Sequence, residues 1–142
     1  MLAGHELDRL VGALAELRVE LAPGPDAVSA AVALPRPRPG GLLDEQEEAL
    51  VRELGRSLAE LAAATASAHP AAVTLPATVM LGSVGGAEWV MRWTLQGEEP
   101  ERLGELVPDF VYLVTLPYLD REGALAAAAR SRELIEADGD GD

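Results

Sequence analysis

His5 and His69 are the only imidazoles in the chain, no cysteine accompanies them, and all eleven basic side chains are arginine. Nucleophilic catalysis needs a nucleophile, a base within reach and a group that orients the base. The two histidines stand in different segments, Ser67-Ala68-His69 is too compact to form a triad by itself, and no glycine–x–serine–x–glycine elbow occurs. His69 precedes Pro70 and reads as a loop residue. Metal spacing of the histidine–glutamate–x–x–histidine kind is absent. The acidic run Glu45-Gln46-Glu47-Glu48 reads as a solvated helix start, where carboxylates suit the positive end of the dipole. Asp138-Gly139-Asp140-Gly141-Asp142 is similar to part of a calcium loop but lacks its other ligands, and reads as a disordered acidic tail. Gly82-x-x-Gly85-Gly86 lies inside a helical pattern without the lysine of a phosphate loop. The expectation is a non-enzyme with no catalytic residue, no metal site and no cofactor.

What remains is binding chemistry. Met80, Ser83, Trp89, Met91 and Trp93 combine adaptable sulfur, broad indole faces and a few donors within fourteen residues. They are the expected ligand-binding set, for a small apolar molecule; the competing reading makes them core or interface residues.

These side chains need elements to position them. Leu7, Leu10, Val11, Leu14, Leu17 and Leu21 follow helical three-and-four spacing and predict a helix over 5–21, stopped by Pro23-Gly24-Pro25. Residues 26–34 fit a short helix, but Val28, Ala30, Val32 and Leu34 also alternate, so a short hairpin over 17–34 stays open. Pro35-Arg36-Pro37-Arg38-Pro39-Gly40-Gly41 reads as an extended linker. Asp44 opens a helix to about Thr65 with Leu50, Val51, Leu54, Leu58, Leu61 and Ala62 as its core stripe.

After a loop over 67–75, Pro76 fits the first turn of a helix running to Gln96. Gly82, Ser83, Gly85 and Gly86 in its middle cost about 2–3 kcal/mol of propensity, so either something packs closely there or the helix breaks. A further helix over 100–119 is apolar around much of its circumference and must be covered on more than one face. Pro108 should kink it or mark its first turn. Asp120 caps a last helix to about Ala137. The organisation is a helical segment over 1–34, a linker over 35–41 and a helical region over 42–137.

Composition narrows the partners. The formal charge of −13 repels phosphate backbones, so no direct nucleic-acid binding is expected. No apolar run is long enough to span a bilayer, the start has no signal-peptide pattern, and the absence of cysteine suits a cytoplasmic protein.

The stretch from Thr74 to Leu125 carries a family likeness: small residues over 82–97, then Glu105-Leu106-Val107-Pro108, Phe110-Val111-Tyr112-Leu113 and Pro117-Tyr118-Leu119. This pattern resembles the last two helices of the effector-binding and dimerisation domain of TetR/AcrR-type transcriptional regulators. Asp120 stands where that closing phrase commonly has glycine. The resemblance implies an all-α helical bundle, a homodimer with Phe110, Leu113, Val114 and Pro117 at its interface, and a small effector. Those regulators open with a basic helix-turn-helix, of which residues 1–41 show nothing, so DNA binding does not carry over. Two alternatives stand beside it: a helical protein–protein interaction module with no ligand pocket, and a small α+β domain.

Overall fold

The computed structural model describes residues 4–22, 43–69, 75–97 and 101–140. Among them lie five helices and no strand: α1 (Gly4–Leu21), α2 (Glu45–Ala68), α3 (Ala77–Gln96), α4 (Arg102–Thr115) and α5 (Arg121–Asp140). The all-α expectation holds. Residues 17–21, one arm of the alternative hairpin, belong to α1; the readings for residues 26–34, for the Pro/Gly linker and for the loop over 70–74 lie outside the described residues.

Each boundary has a local cause. Asp44 accepts from the Glu47 amide at 2.8 Å while Glu47 Oε1 accepts from the Asp44 amide at 3.2 Å, a reciprocal capping box that satisfies two orphan donors of α2. At its other end, His69 Nδ1 lies 2.8 Å from the Thr65 carbonyl. A carbonyl can only accept, so Nδ1 carries the proton and His69 closes α2. Pro76 stands at the N-cap of α3, where its missing amide proton costs nothing. Asp120 Oδ1 accepts from the Gly123 amide at 2.6 Å and starts α5, which runs to Asp140, three residues beyond the expected end.

Pro108 neither breaks nor begins α4, which is continuous from Arg102 to Thr115. Its ring stands one turn from Gly104, whose carbonyl receives no proline amide. α3 is likewise continuous through Gly82, Gly85 and Gly86.

The helices share one core. α2 packs against α1, α3 and α4, while α5 packs against α1 and α4. Leu10, Leu14 and Leu17 of α1 meet Val51, Leu54, Leu58 and Leu61 of α2, with Val84, Met91, Leu103, Val107 and Val111 completing the centre. The N-terminal helix is thus part of the same core as the region from residue 43 onward. Arg130 forks onto Glu20 through Nε at 2.9 Å and Nη2 at 3.0 Å, tying α5 to α1 at the surface. That contact holds the Glu20 carboxyl below its ordinary range.

Among the described residues, four of the five buried polar ones, Thr65, Ser83, Thr115 and Ser131, donate their hydroxyls to carbonyls of the preceding turn. The fifth is Glu88.

Candidate functional site

α3 has two apolar faces. Val84, Ala87, Met91 and Leu95 point into the core. On the opposite side Gly82, Gly86, Trp89 and Trp93 fall within an arc of roughly 60°, at about 100° of turn per residue. Trp89 and Trp93 are each 66% exposed. Their rings stack on one another with centroids 6.2 Å apart and planes 18° from parallel.

The glycines beside them form an open notch. Among the described residues, a Cβ at Gly82 or Gly85 would meet nothing within 4 Å, and one at Gly86 would meet only Leu113 Cδ2, at 3.9 Å. That last contact joins the stripe to α4, where Leu113 and Leu116 remain 39% and 36% exposed. Two indoles, the glycines and Leu113 therefore make one apolar face across α3 and α4. No charged residue stands on the α3 stripe, in a chain whose formal charge is −13. Surface apolar residues are ordinarily scattered singly, and a contiguous exposed patch is the feature that binding surfaces share.

The residues anticipated for ligand binding do not converge. Met91 is fully buried, and Ser83 is buried with its hydroxyl on the Val79 carbonyl at 2.6 Å. Met80 packs at the margin of the core. Trp89 and Trp93 share the outer face and are the only two of the five brought together there. Of the anticipated interface residues, Phe110 and Val114 are buried within the subunit, Pro117 is half-buried, and Leu113 is on the exposed face. Leu116, the C-cap of α4, is also exposed. The signal for it was present: 82, 86, 89 and 93 repeat at four, three and four residues, a second helical stripe opposite the core one.

Beneath the face lies a charged cluster that sequence reasoning passed over. Arg92 donates from Nη1 to Glu48 Oε1 at 2.6 Å, linking α3 to the start of α2, and its Nε is buried without a partner among the described residues. One turn earlier, Glu88 lies over Gly55 of α2: a Cβ at Gly55 would overlap Glu88 Oε1 and stand 3.0 Å from its Cδ. Gly55 is glycine because the Glu88 carboxyl occupies the space a side chain would need. Burial raises the Glu88 pKa above the ordinary value, with Arg92 pulling the other way by a smaller amount.

An open cleft of about 320 Å³ lies between α1, α4 and α5. Leu10, Pro108 and Ile135 give it an apolar lining, and Arg9, Arg132, Glu6 and Glu105 are among its polar residues. No group of three or more histidine, aspartate or glutamate side chains is placed to hold a metal ion among the described residues. No described helix is long and apolar enough to cross a membrane. No family model, curated protein or solved structure matches the chain.

Proposed function

We propose that this chain is a non-catalytic, regulator-like association module whose subunits form a homodimer through the outer face of α3 and α4. The observation that carries the reading is the stacked, exposed Trp89–Trp93 pair standing next to an open glycine notch on the same helix face. Knob and notch on one surface make that surface complementary to itself, as a two-fold interface requires. Charge points the same way: two copies at −13 repel one another, and an uncharged stripe is where they approach with least opposition. The indoles alone offer about 300 Å² per copy, and Leu113 brings this to roughly half of the ~800 Å² per partner of a standard interface. The polar rim supplies the rest.

Size-exclusion chromatography with light scattering tests this directly. The wild-type chain is expected to run as a dimer at micromolar concentration, and Trp89→Ser with Trp93→Ser as a monomer of unchanged helicity. A monomeric wild type overturns the proposal.

The effector half of the regulator-like reading finds its support in the α1/α4/α5 cleft, which at about 320 Å³ falls at the lower end of ligand-pocket sizes. Its mixed lining suits a small amphipathic molecule better than a purely apolar one. A thermal-shift screen of such compounds, with Ile135→Trp to fill the cleft, tests it: a hit that still stabilises the filled variant removes the cleft from consideration.

A further inference from the structure

Granted a dimer through this face, on which the inference rests, the geometry points to one register. We infer that α3 pairs with the partner's α3 in antiparallel fashion about a two-fold axis crossing between Ala87 and Glu88. Trp93 of each subunit then sits in the notch at the partner's Gly82, and Trp89 sits on the partner's Gly86.

Antiparallel helices related by a two-fold axis bring together residues whose positions share a common midpoint. Gly82 and Trp93 share a midpoint between Ala87 and Glu88, and Gly86 and Trp89 share the same one. A single axis therefore satisfies four contacts at once, two large-on-small pairs and their symmetry copies. Parallel pairing would set tryptophan against tryptophan and glycine against glycine, leaving a gap beside a crowded contact, and close-packed interfaces avoid that.

The glycines at the notch are not needed by α3 itself. None has a left-handed backbone, and neither Gly82 nor Gly85 has a neighbour within 4 Å of a built Cβ among the described residues. Glycine weakens a helix interior, so its presence at open, regular positions is accounted for by something outside the subunit that approaches closely. Leu113 borders the seat at Gly86 and gives the incoming Trp89 an apolar side wall from α4. Along the whole stripe no carboxylate meets a carboxylate, which matters for two acidic chains brought together.

The chain contains no cysteine, so engineered thiols report the register without background. Gly82→Cys and Trp93→Cys chains are co-expressed and oxidised, or joined by a short bis-maleimide. The mixed dimer places the two thiols together and keeps one native tryptophan–glycine seat at this level. Each variant alone separates its own thiols by roughly 16 Å along the helix axis, far beyond disulfide reach. Predominant mixed cross-linking is the expected result.

A second variant set guards against a thiol variant that misfolds. Gly82→Trp alone blocks the seat in both subunits and is expected to weaken dimerisation by about a thousandfold. Adding Trp93→Gly exchanges knob and notch about the same axis and restores the dimer to within about tenfold. If the wild type is a dimer but self-cross-linked products dominate, or the exchange fails to rescue a folded protein, the register is overturned and dimerisation stands. If the wild type is a monomer by light scattering, both fall together.

Discussion

Gly82→Leu separates what α3 needs as a helix from what it offers to a second copy. Within one subunit the change is favourable, because Gly82 is exposed, a Cβ there meets nothing within 4 Å, and leucine is a far better helix former. The gain is about 0.8–1 kcal/mol. In the proposed dimer the same side chain would fill the seat of the partner's Trp93, twice by symmetry. A seat of this kind is worth about 2 kcal/mol or more, so on the order of 4 kcal/mol of association is lost, about a thousandfold in Kd. Urea unfolding followed by circular dichroism over a hundredfold range of protein concentration reads both effects. Stability of a dimer rises by about 1.4 kcal/mol for each tenfold increase in concentration, so the wild type gains about 3 kcal/mol across the range. The variant is expected to show no such rise, and at the dilute end to be about 1 kcal/mol more stable than the wild type. A wild type without concentration dependence, or a variant that retains it, refutes the reasoning.

Gly55→Ala is expected to change stability by less than about 1 kcal/mol, because the Glu88 carboxyl must swing aside and that offsets the helix-propensity gain. In a Glu88→Ala background the overlap is gone, and the same change becomes stabilising; an additive double-mutant cycle by urea denaturation contradicts this. Glu88 also sets a pH trend. Its folded pKa is raised by burial, so the fold favours the protonated carboxyl: that contribution is fully present below the ordinary value of 4.5 and is lost as pH rises through the folded value. Glu88→Gln is therefore expected to stabilise at neutral pH and to converge on the wild type near pH 4, measured as midpoint against pH; an undiminished gain in acid rules out titration of Glu88 as the cause.

Four of the helices could be placed from sequence to within three residues at either end, for reasons visible in their ends. Pro23, Asp44, Pro76, Gly97 and Asp120 are residues that stop or start helices by removing a donor, accepting from orphan amides or freeing the backbone, and they bracket stripes of regular spacing. α4 departed most. Its pattern implied a helix over 100–119, whereas it spans Arg102–Thr115 and passes unbroken through Pro108. A proline inside a helix is tolerated when packing on both sides holds the chain, and Val107, Pro108, Phe110 and Val111 are all buried. Local propensity does not contain that information; tertiary packing supplies it.

The candidate site was legible only in part, and the obstacle is a specific one. Periodicity tells which side of a helix is buried when the other side is polar. On α3 both sides are apolar: Val84, Ala87, Met91 and Leu95 form one stripe, Trp89 and Trp93 with the glycines form the other. Grouping Met80, Ser83, Trp89, Met91 and Trp93 by chemistry mixed the two stripes, since two residues along the helix carry a side chain about 200° around the axis. The same ambiguity on α4 put Phe110 and Val114 beside Leu113, where the fold turns the first two inward and leaves Leu113 with Leu116 outside. Once the inner stripe is fixed by contact with α2, the outer one meets only the edge of α4, at Leu113, among the described residues. An aromatic pair and a glycine notch spaced about one midpoint are then more than a leftover apolar surface. They have the spacing that the proposed two-fold contact requires.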